Sequence, residues 1–120
     1  MNGRNPVAIS IGVGIALVTA TLWFYWEYYE EPLWDADESG LPGPTDGRQD
    51  AYRHCLASCK LTQDFGADTA EVFGDLNEDE NDRSAACKQD HSNNRLGREL
   101  GAGDESCEDA CRNAKLQNAP

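Results

Sequence analysis

Two cysteine pairs, a histidine beside the first of them, and a run of carboxylate, amide and guanidinium side chains hold most of the chemical capacity of this 120-residue chain. The stretch "RHCLASCK", residues 53 to 60, sets His54 next to Cys55 and places Cys59 four residues further on. Cys107 and Cys111 repeat the spacing near the C-terminus. Residues four apart share one face of a helix, so two such helices packed antiparallel can be joined twice. Register selects the pairing, because partners across an antiparallel seam have residue numbers with a constant sum. Cys55–Cys111 and Cys59–Cys107 satisfy this; Cys55–Cys107 with Cys59–Cys111 needs parallel helices. Four thiolates also make a zinc site, although structural zinc pairs usually sit on tighter C-x2-C turns. Cys87 is left over. In an oxidising compartment an odd thiol is buried, bridges to another molecule or reacts, and the adjacent Ala85 and Ala86 favour burial.

A second group lies in "DHSNNRLGRELG". Asp90, Asn94 and Arg98 are spaced by four, while Gly97 and Gly101 form a small-residue strip. In structural terms the glycines let another helix come close and the polar residues form a ladder that specifies packing.

The stretch "DAYRHCLASCKLTQDFGADTAEVFGDLNE", taken with "DHSNNRLGRELG", resembles a family of small helical bacterial domains of unknown function found in exported and toxin-like proteins. The family pattern has Arg-His in the first helix, Phe-Gly-Ala-Asp at its end, His-Glu closing the next helix, and then Asp-x-x-Asn-Asn-x-x-Gly-Arg-x-x-Gly. Arg53, His54, Phe65 to Asp68, Glu78, Asp90, Asn93, Asn94, Gly97, Arg98 and Gly101 match it, over about residues 47 to 101. Asn77 stands where the family has histidine, and the Cys107–Cys111 helix lies outside the pattern. Beside the structural reading of these polar residues, a functional one makes a site of His54, Glu78 and Asp90, with Arg53, Asn94 and Arg98 as binding residues. Mixed nitrogen and oxygen ligands suit a divalent cation, and His54 or Glu78 would serve as base to a metal-bound or substrate water.

Other motifs fail on inspection. "DLNEDENDRSAA" begins like a calcium loop with Asp75, Asn77 and Asp79, but Glu80 replaces the glycine of the sixth position and Ala86 the glutamate of the twelfth. "CKLTQDFG" is similar to the Cys-x-x-His-Asp helix of secreted phospholipases A2, with Gln63 before Asp64 in the histidine place and one residue further from Cys59, and His91 follows Asp90 in the reverse order. There is no G-x-S-x-G, no glycine-rich phosphate loop and no C-x-x-C pair.

The elements that must position these residues begin with Val7 to Trp26, twenty residues without a charge. As a helix they reach about 30 Å, the bilayer core. The aromatic residues Trp23 to Trp26, Tyr28 and Tyr29 resemble an interfacial belt. The alternative is a cleavable signal, with Arg4 as its charged region and Val18-Thr19-Ala20 as cleavage site. Arg4 precedes the run and six carboxylates follow it, which favours a cytoplasmic N-terminus. Five cysteines agree with an oxidising compartment for the remainder. The net charge of −12 divides into +1 for residues 1–26, −6 for 27–45 and −7 for 46–120, and such a chain repels nucleic acid.

Residues 30–46 read as a loosely extended acidic Pro/Gly linker. A first domain helix runs from an Asp46 cap to Gly66, and a second, capped by Asp68 or Thr69, carries Ala70, Val72, Phe73 and Leu76. A third runs from about Asp82 to Gly101, and a last, capped by Ser106, reaches Leu116. The core candidates are few: Tyr52, Leu56, Leu61, Phe65, Val72, Phe73, Leu76, Leu96, Leu100 and Leu116. So thin a core needs a staple.

The sequence thus predicts an all-α chain, with an N-terminal transmembrane helix over 1–29, a linker over 30–46 and a small disulfide-stapled helical domain over 47–117. The expected topology is a single pass with the domain periplasmic or extracellular. The expected role is an interaction or accessory module of the cell envelope or of a membrane complex, without a cofactor. The alternative is a metal-assisted hydrolase using His54, Glu78 and Asp90 with one divalent cation. Expected partners are the membrane, through residues 7–26, and a protein of a membrane complex, but not nucleic acid.

Overall fold

The computed structural model describes residues 5–44, 47–76 and 84–116. Asp46, Asn77 and Glu78, with the polar turn expected at 77–82, lie outside them. Helix α1, Pro6–Tyr25, opens where the Asn5 side chain accepts from Val7 N at 3.0 Å and Pro6 fills the first turn. It passes through a π-helical turn, Trp26–Glu30, into helix α2, Glu31–Glu38. Pro32 accounts for the wide turn: it has no N–H for the Tyr28 carbonyl and its ring crowds that oxygen. Glu31 N–H donates five residues back, to Trp26 O. The continuous helix Pro6–Glu38 is long and apolar enough to cross a membrane, and the α1 part buries no residue within the chain.

Four further helices make the domain: α3, Arg48–Phe65; α4, Ala67–Leu76; α5, Ala85–Gly101; and α6, Cys107–Asn113. No strand occurs among the described residues. Helix α3 ends at Gly66, whose φ of +93° favours glycine. Ser84 and Ser106 accept from Cys87 N and Asp109 N, capping α5 and α6. Helix α4 starts directly after Gly66, before the expected Asp68 or Thr69 cap, and α6 ends at Asn113, short of Leu116.

Helix α3 is the axis of the packing. Cys55 and Cys111 are bridged with Cα atoms 5.8 Å apart, and Cys59 and Cys107 with Cα atoms 5.7 Å apart, so α6 runs antiparallel to α3. Helix α5 runs parallel to α3 with Gly97 against Cys55 and Gly101 against Cys59. A Cβ on Gly97 would stand 2.3 Å from Cys55 O, and one on Gly101 2.6 Å from Cys59 O. The main core is Tyr52, Leu56, Leu116, Ala36, Ala51 and the four bridged cysteines. Sulfur therefore fills much of the space that a larger domain gives to leucine. Cys87 is buried and belongs to neither bridge.

Two expectations change. Residues 31–38 are helical, where a loose tether was expected, because Pro32 is tolerated at a helix start and Ala36, 2% exposed, drops into the core. Phe65 and Val72 are 48% and 57% exposed. Helix α4 turns Ala70 and Phe73 inward, three residues apart, which leaves Val72 outside. A second cluster of Tyr28, Leu61 and Ala70, flanked by Phe24 and Phe73, joins the N-terminal helix to the domain. Around it Lys60 Nζ, buried and without a well-aligned hydrogen bond, is paired by charge with Glu27 at 3.4 Å and Glu31 at 3.1 Å. Tyr28 OH donates to Asp64.

Candidate functional site

The parallel register of α3 and α5 sets two short polar rows opposite each other. On α3, Asp50 and His54 are one turn apart; on α5, Asp90 and Asn94 are one turn apart. His54 stands between the rows. Its Nε2 is 3.3 Å from Asp90 Oδ1 and 3.7 Å from Asp50 Oδ1, and its Nδ1 is 3.3 Å from Asn94 Oδ1. The three ligand atoms of Asp50, His54 and Asp90 lie within 4.8 Å of one another. The Asp50 side chain is 7% exposed, and those of His54 and Asp90 are 19% exposed. Arg53 donates through Nη2 to Asp50.

Ligands about 2.1 Å from a tetrahedral ion are about 3.4 Å apart, so His54 and Asp90 already stand at that separation. A proton on Nδ1 donated to Asn94 Oδ1 would turn the Nε2 lone pair toward the carboxylates. Three acceptors would then converge on one point, which a divalent cation reconciles through mixed nitrogen and oxygen ligation.

Beside the cluster lies a cleft of about 550 Å³, within the ~300 to 1,000 Å³ typical of small-molecule sites. His54, Arg53 and Asn94 supply its polar part, and Phe24, Tyr28, Leu61 and Phe73 much of its apolar part. The rings of Phe24 and Phe73 are 4.8 Å apart and those of Phe24 and Tyr28 4.7 Å. A Cβ added at Gly74, another lining residue, would stand 3.4 Å from Asn94 Nδ2, so glycine here leaves α4 clear of the amide that orients His54.

Of the residues singled out in the sequence, His54, Asp90, Asn94 and Arg53 come together here. Glu78 lies outside the described residues. Arg98, half-buried in the last turn of α5, does not line the cleft. His91 sits at the surface, 3.9 Å from Asp75. Asp50 is the member the sequence reading missed. Its signal was present, since it precedes His54 by four residues, but near the start of α3 it reads as a first-turn carboxylate favoured by the helix dipole.

No solved structure matches the chain. The model of a domain of unknown function, DUF6973, matches residues 36–119, from the last turn of α2 through the whole stapled domain. On that match over most of its length, the chain belongs to the DUF6973 family.

Proposed function

We propose that this chain is a single-pass membrane protein whose stapled domain stands on the oxidising side and holds a divalent cation between Asp50, His54 and Asp90 for hydrolysis. The convergence of His54 Nε2 with two carboxylates, beside an open cleft that His54 itself lines, carries this reading. Asp50, His54 and Asp90 would hold the cation, which would supply Lewis-acid chemistry: a more acidic water and a polarised ester or amide carbonyl. The residues of the chain supply position: Asn94 orients His54, Arg53 steadies Asp50, and the aromatic wall keeps bulk water from one side. Retention of the N-terminal helix is supported by its unbroken course from Pro6 to Glu38 and by Phe24, Tyr28, Pro32 and Ala36, which pack on the domain.

The test is manganese-dependent hydrolysis of acyl esters by the oxidised full-length chain, compared with His54→Ala and Asp90→Asn. Loss of turnover with an unchanged unfolding temperature supports the proposal; turnover retained in both variants contradicts it. A second reading, an interaction or accessory module of the envelope or of a membrane complex, draws support from the Arg53–Asp50 pair. A guanidinium already balancing one carboxylate suits a network that specifies helix packing. Under that reading both substitutions lower the unfolding temperature and no ion binds.

A further inference from the structure

The cleft is built jointly by the N-terminal helix and the domain, and its two ends differ in chemistry. Pro6–Tyr25 fills about 30 Å, the depth of the hydrocarbon core, which puts Tyr25 near its boundary. The cleft wall on this helix runs from Thr21 to Pro32, about 17 Å at 1.5 Å per residue. It therefore begins inside the hydrocarbon and crosses a head-group layer about 5 to 8 Å thick.

Helix α3 passes antiparallel to this wall. Phe65 meets Phe24 with ring centres 6.2 Å apart, Asp64 meets Tyr28, and Lys60 meets Glu27 and Glu31. The Phe65 end of α3 thus faces the bilayer, and His54, eleven residues earlier, lies about 16 Å further out. Thr21, whose hydroxyl donates to Leu17 O, and aromatic and aliphatic side chains line the membrane end; Arg53, His54 and Asn94 line the far end. An amphiphile that enters laterally from the lipid phase and is drawn outward along this wall matches the gradient.

We propose that the cleft takes one acyl chain of a bilayer phospholipid, laid along Phe24, Tyr28, Leu61 and Phe73, with its carboxylic ester at His54 and its phosphate toward Arg53. The proposal rests on the hydrolytic reading for the fate of that ester and not for the occupancy of the cleft. Hydrolysis adds one water: its oxygen joins the acyl carbon, the bond from that carbon to the glycerol oxygen breaks, and the glycerol oxygen takes a proton.

The experiment uses the full-length oxidised chain in nanodiscs of phosphatidylglycerol and phosphatidylethanolamine doped with a phosphatidylcholine bearing a photoreactive diazirine on its acyl chain. Cross-linked residues are mapped by mass spectrometry, and manganese binding is followed separately by electron paramagnetic resonance. Cross-links at Leu61, Phe73 and Ala57 are expected. They should be lost in Ala57→Trp, which fills the cleft, with manganese binding kept. His54→Ala should keep the cross-links and lose manganese. If the tryptophan variant does not unfold cooperatively, Ala57→Leu takes its place. Cross-links confined to the outward face of α1 overturn the lipid site whatever manganese does, as does a cleft shielded by a second copy of the chain. Cleft cross-links without manganese binding keep the lipid site and overturn the metal reading alone.

Discussion

Gly97→Ala tests the close approach of α5 to α3, and the sign of its effect is decisive. The added Cβ would meet Cys55 O at 2.3 Å and Ser58 Cβ at 2.9 Å. Ordinary contact requires roughly 1 Å more, so the atoms would overlap and one of the two helices must shift. The carbonyl belongs to a helix whose Cys55 is bridged to Cys111, so α3 cannot yield without moving α6. Overpacking of this kind costs about 3 kcal/mol, and alanine returns about 1 kcal/mol of helix propensity. The net loss is about 2 kcal/mol, or a fall of roughly 8 to 16 °C for a domain of this size. Thermal unfolding of the oxidised chain, followed by circular dichroism, reads this directly. Gly14→Ala, which has nothing within 4 Å, is the control. Were α3 and α5 further apart than described, Gly97→Ala would raise the transition by the propensity gain, and a rise would refute the packing from which the site is derived.

The nested disulfides should contribute unequally. Bridge Cys55–Cys111 spans 56 residues and alone contributes about 4 kcal/mol. Once it is formed, the inner bridge closes only about eight residues of chain and adds about 2.5 kcal/mol. The double variant Cys59→Ser, Cys107→Ser should therefore lose about 2.5 kcal/mol in denaturant titration, while full reduction should unfold the domain. Burial pushes the Tyr52 phenol above its ordinary value of 10.0, with Asp35 and Glu108 adding to the rise. A phenol that ionises less readily folded than unfolded makes stability fall as pH rises through the ordinary value. The alkaline loss should begin near pH 10 and be smaller in Tyr52→Phe. Lys60→Ala leaves Glu27 and Glu31 facing each other without their cation. It should cost about 1 kcal/mol, given the partial solvation of the carboxylates, and speed amide exchange in α2.

The staple was legible because four cysteines at i and i+4 admit one antiparallel register, a geometric constraint independent of context. The stop of α3 and the start of α6 were legible too, since Gly66 and Ser106 have local conformational reasons to stop and start helices. The course of residues 31–38 was not. Proline and acidic residues read as breakers, while the burial of Ala36 that holds this turn depends on Tyr52 and Leu56 across the fold. The site was legible in half. Asp90 and Asn94 lie on one face by spacing, but that Asp50 stands opposite Asp90 follows from the parallel register of α3 and α5, which no local pattern encodes. The cleft was not foreseen, because its wall comes from the helix read as a separate anchor.

The proposed cation site is tested most directly by anomalous diffraction from crystals of the oxidised chain soaked in manganese. One peak is expected, bounded by Asp50 Oδ1, His54 Nε2 and Asp90 Oδ1, and absent in His54→Ala. A peak elsewhere, or none at saturating manganese, would contradict the site.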